Sequence, residues 1–350
     1  MKHNIKSLAL SAVKCIAFVL LFLMIFNYTG EVLRNKSESE ALGVITKKPD
    51  ESYDVILAGS SHMQYTLQPA QLFGEHGITA CNISTAAQSV PTTYYLIKEM
   101  IDRHSPELVV VDLFCLFYPE NYFTPTRFHQ AIDNLPLSGT KIDAINSLVD
   151  VNESEFFVNY LLYHSRWKSL TRYDYKILAE FHETYQLLNG VCPFPDPFTP
   201  LPENDLADIP EVPLMYLKKI VTLCKEKDIE LLLTVVPYRA DIDNNSVTGV
   251  YQQQLYNKTA ELAKEWDVDY YNALHYIDEI GFDFTADMVE YSHMNAPASK
   301  KVTEFYGKML KENYDLPDHR NAEIAEEWLA AYTEYLAKVD EIEKALAAKK

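Results

Sequence analysis

The chain of 350 residues is 48% hydrophobic and 12% aromatic, enough for a sizeable core in one large domain or two modest ones. Its 31 Lys and Arg against 50 Asp and Glu leave a net charge of −19, which argues against a nucleic-acid binder, whose phosphate contacts need clustered Lys and Arg. The five cysteines (15, 81, 115, 192, 224) show neither CxxC nor metal-ligand spacing; no metal, cofactor or disulfide framework is expected, and buried thiols are favoured over one disulfide.

Residues 8 to 28 are nearly all apolar, with Lys14 the one charge, and Lys2, His3 and Lys6 precede them. Such a run is long enough to cross a bilayer, with Lys14 snorkelling towards the N-terminal side. A cleaved signal peptide is the competing reading, but no small-x-small site follows at Met24-Ile25-Phe26-Asn27-Tyr28-Thr29-Gly30. A signal anchor over 1–30 is therefore expected, single-pass in the cell membrane, with the remainder extracytoplasmic. Residues 31–50 are polar and charged and read as a tether.

An alternation of strands and helices starts at residue 51. Tyr53–Ala58, Ile78–Ile83, Glu107–Phe114, Ile229–Val236 and Val268–Tyr271 read as strands, the third a continuous apolar run of the kind buried on both faces of a parallel sheet. Gln68–His76, Thr92–His104, Val212–Lys227, Tyr251–Trp266 and Ala298–Asn313 read as helices. The order predicts an α/β three-layer sandwich around a mainly parallel five-stranded, flavodoxin-like sheet with right-handed crossovers, built from 51–118 and 212–316. Residues 119–211 break the alternation, follow a strand's C-terminal end and are rich in Tyr, Phe, His and Pro, including Pro193-Phe194-Pro195-Asp196-Pro197-Phe198. They are read as a partly helical cap, in which Tyr163-His164-Ser165-Arg166-Trp167 either lines a cleft or packs the insert down. Residues 317–350 contain an Ala-, Glu- and Lys-rich stretch with Trp328, Leu329, Tyr332, Leu336, Val339 and Leu346 at helical spacing. That amphipathic helix packs on its own domain or contacts a partner.

The chemistry centres on Gly59-Ser60-Ser61-His62, where the first strand ends and a helix opens. Such a corner exposes a side chain and free backbone N–H groups. Ser60 suits the N-cap and leaves Ser61 as the candidate nucleophile. Far downstream, Glu290-Tyr291-Ser292-His293 precedes the last helix of the sheet domain. An acid three residues before a histidine can fix its tautomer and stabilise the imidazolium formed when the ring takes a serine proton. Asp287 is a substitute for Glu290, Asn295 a helix cap or substrate contact, and His62 a less favoured base. Asp112, at the end of the third strand, either meets substrate or holds a residue of the cap.

Together these segments resemble the SGNH (GDSL-type) hydrolase superfamily over roughly residues 51–118 and 212–314. The first family block falls at Gly59-Ser60-Ser61, with Ser60 in place of the usual aspartate, and the last at Glu290-x-x-His293, with Glu in place of the commoner Asp. The second block resembles Asn82-Ile83-Ser84-Thr85-Ala86-Ala87-Gln88-Ser89, with Ala87 where an oxyanion-hole glycine is expected. The third-block asparagine is missing from Val111-Asp112-Leu113-Phe114-Cys115. The resemblance implies a Ser61–His293–Glu290 triad and an oxyanion hole from the Ser61 and Ala87 amides. The N-terminal anchor, Gly-Ser-Ser block and His-x-Asn are similar to the membrane-anchored branch that includes D-alanyl-lipoteichoic acid transfer and polysaccharide O-acetyltransferase-type proteins. That similarity implies a serine esterase or O-acyltransferase acting on an acylated cell-envelope glycopolymer or small acyl ester, beside a membrane-bound O-acyltransferase. Two other readings stay open: a catalytically weak accessory protein of such an acyltransferase, and an unrelated α/β receptor domain in which Ser61 and His293 lie apart.

Overall fold

A computed structural model describes residues 2–35, 53–118, 125–133, 135–149, 153–172, 174, 185–194, 199–240 and 249–348. These fall into two compact units, Met1–Glu40 with Val149–His182, and Ala41–Leu148 with Glu183–Lys350. The insert read as 119–211 is thus shared between both units. The expected tether beyond residue 35 and the stretch 195–198 lie outside the described residues.

In the first unit, helix α1 (Lys2–Asn35) runs past the end of the apolar stretch, so residues 31–35 are helical, not part of a tether. Its segment Ala9–Arg34 is long and apolar enough to cross a membrane, and Val13, Ile16, Phe18 and Met24 are all well exposed.

The second unit is built on a five-stranded sheet. Its strands are β1 (Val55–Ala58), β2 (Ala80–Asn82), β3 (Leu108–Asp112), β4 (Glu230–Val235) and β5 (Asp269–Asn272). They are parallel throughout, in the order β2-β1-β3-β4-β5. That is the flavodoxin-like order, which reverses direction between β1 and β3. Register is set by Val55 opposite both Ala80 and Leu108, and by Asp112 opposite Thr234.

β1 to β4 are each shorter than the run read from the sequence, because the flanking residues leave the ladder while staying buried: Tyr53, Ile78, Ile83 and Val236 are core residues outside any strand, and β5 keeps its four residues one position further on. Strand alternation sends Val55, Leu57, Val110 and Leu232 to one face, where they meet Leu72, Val302 and Tyr306. Leu72 comes from helix α3 (Pro69–His76), and Val302 and Tyr306 from α12 (Ala296–Asn313). The opposite face is covered by α4 (Val90–His104) and α9 (Glu211–Glu226), which pack on β1 and β4 and on each other. Prolines in the first turns of α3, α4 and α12 sit where a missing N–H costs least.

The C-terminal helix α13 (Ala325–Ala347) packs back on α3. Trp328 stacks on Phe73 with ring centroids 5.2 Å apart, and the Tyr335 hydroxyl donates to Gln71 Oε1 at 2.6 Å. A Cβ on Gly74 would lie 2.1 Å from the Tyr332 ring, so this crossing admits only glycine without a shift. All five cysteines are free thiols; burial pushes those of Cys115 and Cys224 up to about 12.

Candidate active site

β1 delivers the chain to Gly59, where a Cβ would sit 2.9 Å from the Asp112 Cβ and 3.1 Å from that of Met63. Only a residue without a side chain lets the turn pass this close to β3. Ser60 is then the N-cap of α2 (Ser61–Thr66), its Oγ accepting from the His62 amide at 3.4 Å. Ser61 opens the helix and is partly exposed.

His293 is carried by a narrow loop between α11 (Ile277–Ile280) and α12. Met288 bridges Met294, and the Val289 amide donates to the His293 carbonyl at 2.9 Å. Asn295 caps α12 through the Ala298 amide and donates to the Ala286 and Gly190 carbonyls. A strap, 185–194, runs alongside: Cys192 N donates to Met288 O, Phe194 N to Phe284 O, and Leu188 O accepts from Ala296 N.

These two corners meet. His293 Nε2 lies 2.7 Å from Ser61 Oγ, and His293 Nδ1 bonds Glu290 Oε1. An ionised carboxylate only accepts, so the proton on that edge belongs to Nδ1 and leaves Nε2 to accept from the Ser61 hydroxyl. Ser292 Oγ donates to the same Glu290 oxygen at 2.5 Å and lies 3.1 Å from Nδ1. The imidazole also touches two rings of α2: Tyr65 stands edge-on at 5.5 Å and His62 is tilted at 5.4 Å. The order reversal between β1 and β3, where open α/β sheets bind ligands, falls at this corner.

Several candidates from the sequence are engaged elsewhere. Asp287 is buried and paired with Lys301 at 2.8 Å, while also accepting from the Asp283 amide, so it does not orient His293. His62 is buried and stacked on Phe114; neither of its ring nitrogens has a hydrogen-bond partner among the described residues. Burial, reinforced by the nearby His293, holds its pKa well below the usual histidine value, so it is a neutral packing ring and not a base on Ser61. Asp112 is buried too, accepting from the amides of Phe114 and Val236 at 3.4 Å, and does not open to a ligand. Burial pushes it up to about 7 against these bonds. Asn295 is committed to its cap and two carbonyls. His164 and Arg166 belong to the first unit, where Arg166 Nη1 donates to the Leu33 and Arg34 carbonyls and His164 lies 6.0 Å from the Tyr160 ring.

Ala87 has φ of 51°, in the left-handed region where a Cβ costs about 1–2 kcal/mol. The site residues that sequence reasoning missed are Ser292 and Tyr65. Tyr65, one helical turn beyond Ser61, shares its face of α2, a signal the sequence did contain.

No family model and no curated protein matches the chain. Solved structures do. A protein assigned to the G-D-S-L lipolytic family from Desulfitobacterium hafniense aligns over 73% of this chain and 98% of its own, at 11% identity and TM-score 0.37. One assigned as an acylhydrolase from Bacteroides fragilis aligns over 74% and 86%, at 11% identity and TM-score 0.35. A gut microbial diltiazem-metabolizing enzyme aligns at 10% identity and TM-score 0.34, over 74% of this chain; the chain spans 46% of that protein.

Proposed function

We propose that the protein is a membrane-anchored serine esterase or O-acyltransferase of the SGNH type. The observation that carries this reading is the 2.7 Å contact between Ser61 Oγ and His293 Nε2, with Glu290 on the opposite ring nitrogen. Ser61 Oγ attacks an ester or thioester carbonyl while its proton passes to Nε2. Glu290 stabilises the imidazolium, and the ring returns the proton to the departing alcohol or thiol. The acyl-enzyme is resolved by water or by the hydroxyl of a sugar or polyol.

The Ser61 and Ala87 amides are assigned to the oxyanion. A strained, left-handed alanine where the family resemblance calls for glycine fits that role, since backbone strain concentrates at such sites. Removing one donor from an oxyanion hole costs about 2.7–4 kcal/mol, so the missing third-block asparagine favours a specialised enzyme. The substrate class proposed is an acylated cell-envelope glycopolymer handled beside a membrane-bound O-acyltransferase, with α1 as the anchor and the catalytic unit extracytoplasmic.

Labelling of the detergent-solubilised full chain with a fluorophosphonate tests the assignment. Wild type should label, and Ser61→Ala and His293→Ala should not. Equal labelling of all three would refute the nucleophile.

A further inference from the structure

α1 is longer than the apolar layer it would cross. Its candidate span, Ala9–Arg34, has 26 residues, or about 39 Å of helix, whereas a hydrocarbon core of about 30 Å takes about 20 residues. If the hydrocarbon begins at Ala9, it ends near Tyr28, and the last turns emerge into the headgroup layer. The same unit places a second group of helices at that level: α7 (Ser154–Phe157), α8 (Asn159–Tyr163) and a 3-10 turn (His164–Ser169). Tyr160 lies against Phe26 of α1, ring centroids 5.0 Å apart, and Phe26 stacks with Phe22 at 5.9 Å. Arg166 closes the other end by donating to the Leu33 and Arg34 carbonyls, while stacking over Tyr163 at 4.2 Å.

What this group leaves outside is unusual for a protein surface. Trp167 is 64% exposed, Phe157 42% and Tyr160 37%. Around Trp167 the chain reads His164-Ser165-Arg166-Trp167-Lys168-Ser169-Leu170-Thr171-Arg172, with three permanent cations and no acid, in a protein whose net charge is −19. Aromatic rings with a polar edge beside Lys and Arg are the composition that settles at the boundary between acyl chains and headgroups.

We propose that residues 157–172 form a membrane-docking surface. Phe157, Tyr160 and Trp167 enter the interfacial layer where α1 leaves the bilayer, and Lys168 and Arg172 face anionic phospholipid headgroups. The occupant is the lipid surface itself. The proposal rests on α1 spanning the membrane.

The test uses the full-length chain reconstituted into pure phospholipid vesicles that contain phosphatidylglycerol. The protein has three tryptophans, and Trp266 and Trp328 belong to the other unit. Emission is quenched with lipids brominated either near the headgroup or near the chain end, in wild type and in Trp167→Phe. Headgroup-proximal bromine should quench more than chain-end bromine, and most of that quenching should vanish in Trp167→Phe. Equal quenching in both proteins overturns the docking surface, including the case in which a protein partner covers it in the cell. Stronger quenching from the chain end overturns the interfacial depth. Flotation of the same vesicles after an alkaline wash reports α1 separately. A chain that floats with Trp167 unquenched sinks only this proposal; a chain that does not float sinks the anchor reading beneath it.

Discussion

Ser60 and Ser61 divide two tasks at one corner. Ser60 Oγ accepts the His62 amide and caps α2, while Ser61 Oγ, one residue on, lies 2.7 Å from His293 Nε2. The pair therefore predicts opposite phenotypes. Ser60→Ala should cost about 0.5–2 kcal/mol of stability, as lost N-caps do, and keep fluorophosphonate labelling. Ser61→Ala should leave the melting temperature nearly unchanged and lower turnover of an activated ester on the order of a thousandfold or more. Combining it with His293→Ala should add little, because the two act as one unit.

Asp287 is the acid that could be mistaken for the orienting group. Its carboxylate is buried and tied to Lys301, so Asp287→Ala removes that ammonium's counter-charge and leaves it the Gly281 carbonyl. The expected loss is about 3 kcal/mol in denaturant unfolding, at the lower end for a broken buried pair because Lys301 is partly solvated. The pH–rate profile should keep its shape. A shift in its acid limb would mean that Asp287, not Glu290, tunes His293.

His62 should make the protein acid-sensitive. In the unfolded chain it binds a proton near pH 6.5, while burial beside Phe114 and His293 keeps it neutral in the fold. As pH falls below about 6.5 the unfolded state takes the proton first, and stability declines. His62→Phe retains an aromatic ring on Phe114 and should flatten this decline in thermal melts between pH 7 and pH 5. An unchanged slope would locate the acid sensitivity elsewhere.

Asp112 works in the opposite sense. Its carboxyl is pushed up to about 7 from an ordinary 3.8, so the folded state holds the proton more tightly. Stability attributable to it is greatest at low pH and declines as pH rises towards 7. The melting temperature of wild type should therefore fall relative to that of Asp112→Asn as pH rises from about 4 to about 7, and the difference should stay constant above that range.

At the α3–α13 crossing, Gly74→Ala should cost about 1–3 kcal/mol by overpacking against Tyr332. Hydrogen exchange should show the loss first in α13, with the β1–β3 core least affected.

Much of the second unit was readable because parallel strands buried on both faces announce themselves as apolar runs, as at Leu108–Val111 and Leu231–Val235. Ser61, His293 and Glu290 were readable because a Gly-Ser-Ser corner and an acid-x-x-His loop are local patterns. Their meeting was not local. Nor was the partner of Asp287, since Lys301 lies on α12 and its direction depends on the cap at Asn295. The continuation of α1 to Asn35 is not legible in the sequence because Glu31, Arg34 and Asn35 have linker composition. The burial of Val32, Leu33 and Arg34 within the first unit, with Arg166 on the Leu33 and Arg34 carbonyls, is tertiary information. The polar look of Ser60-Ser61-His62 concealed that His62 is core.

The Ser61–His293 bond joins residues 232 positions apart. During synthesis Ser61 emerges early, and the loop bearing its histidine follows only when most of the chain has been made. A nascent polypeptide therefore carries Ser61 without its histidine through most of elongation. The Ser61–His293 pair is complete only once β5 and α12 have joined the sheet domain, so the site depends on folding of the whole second unit.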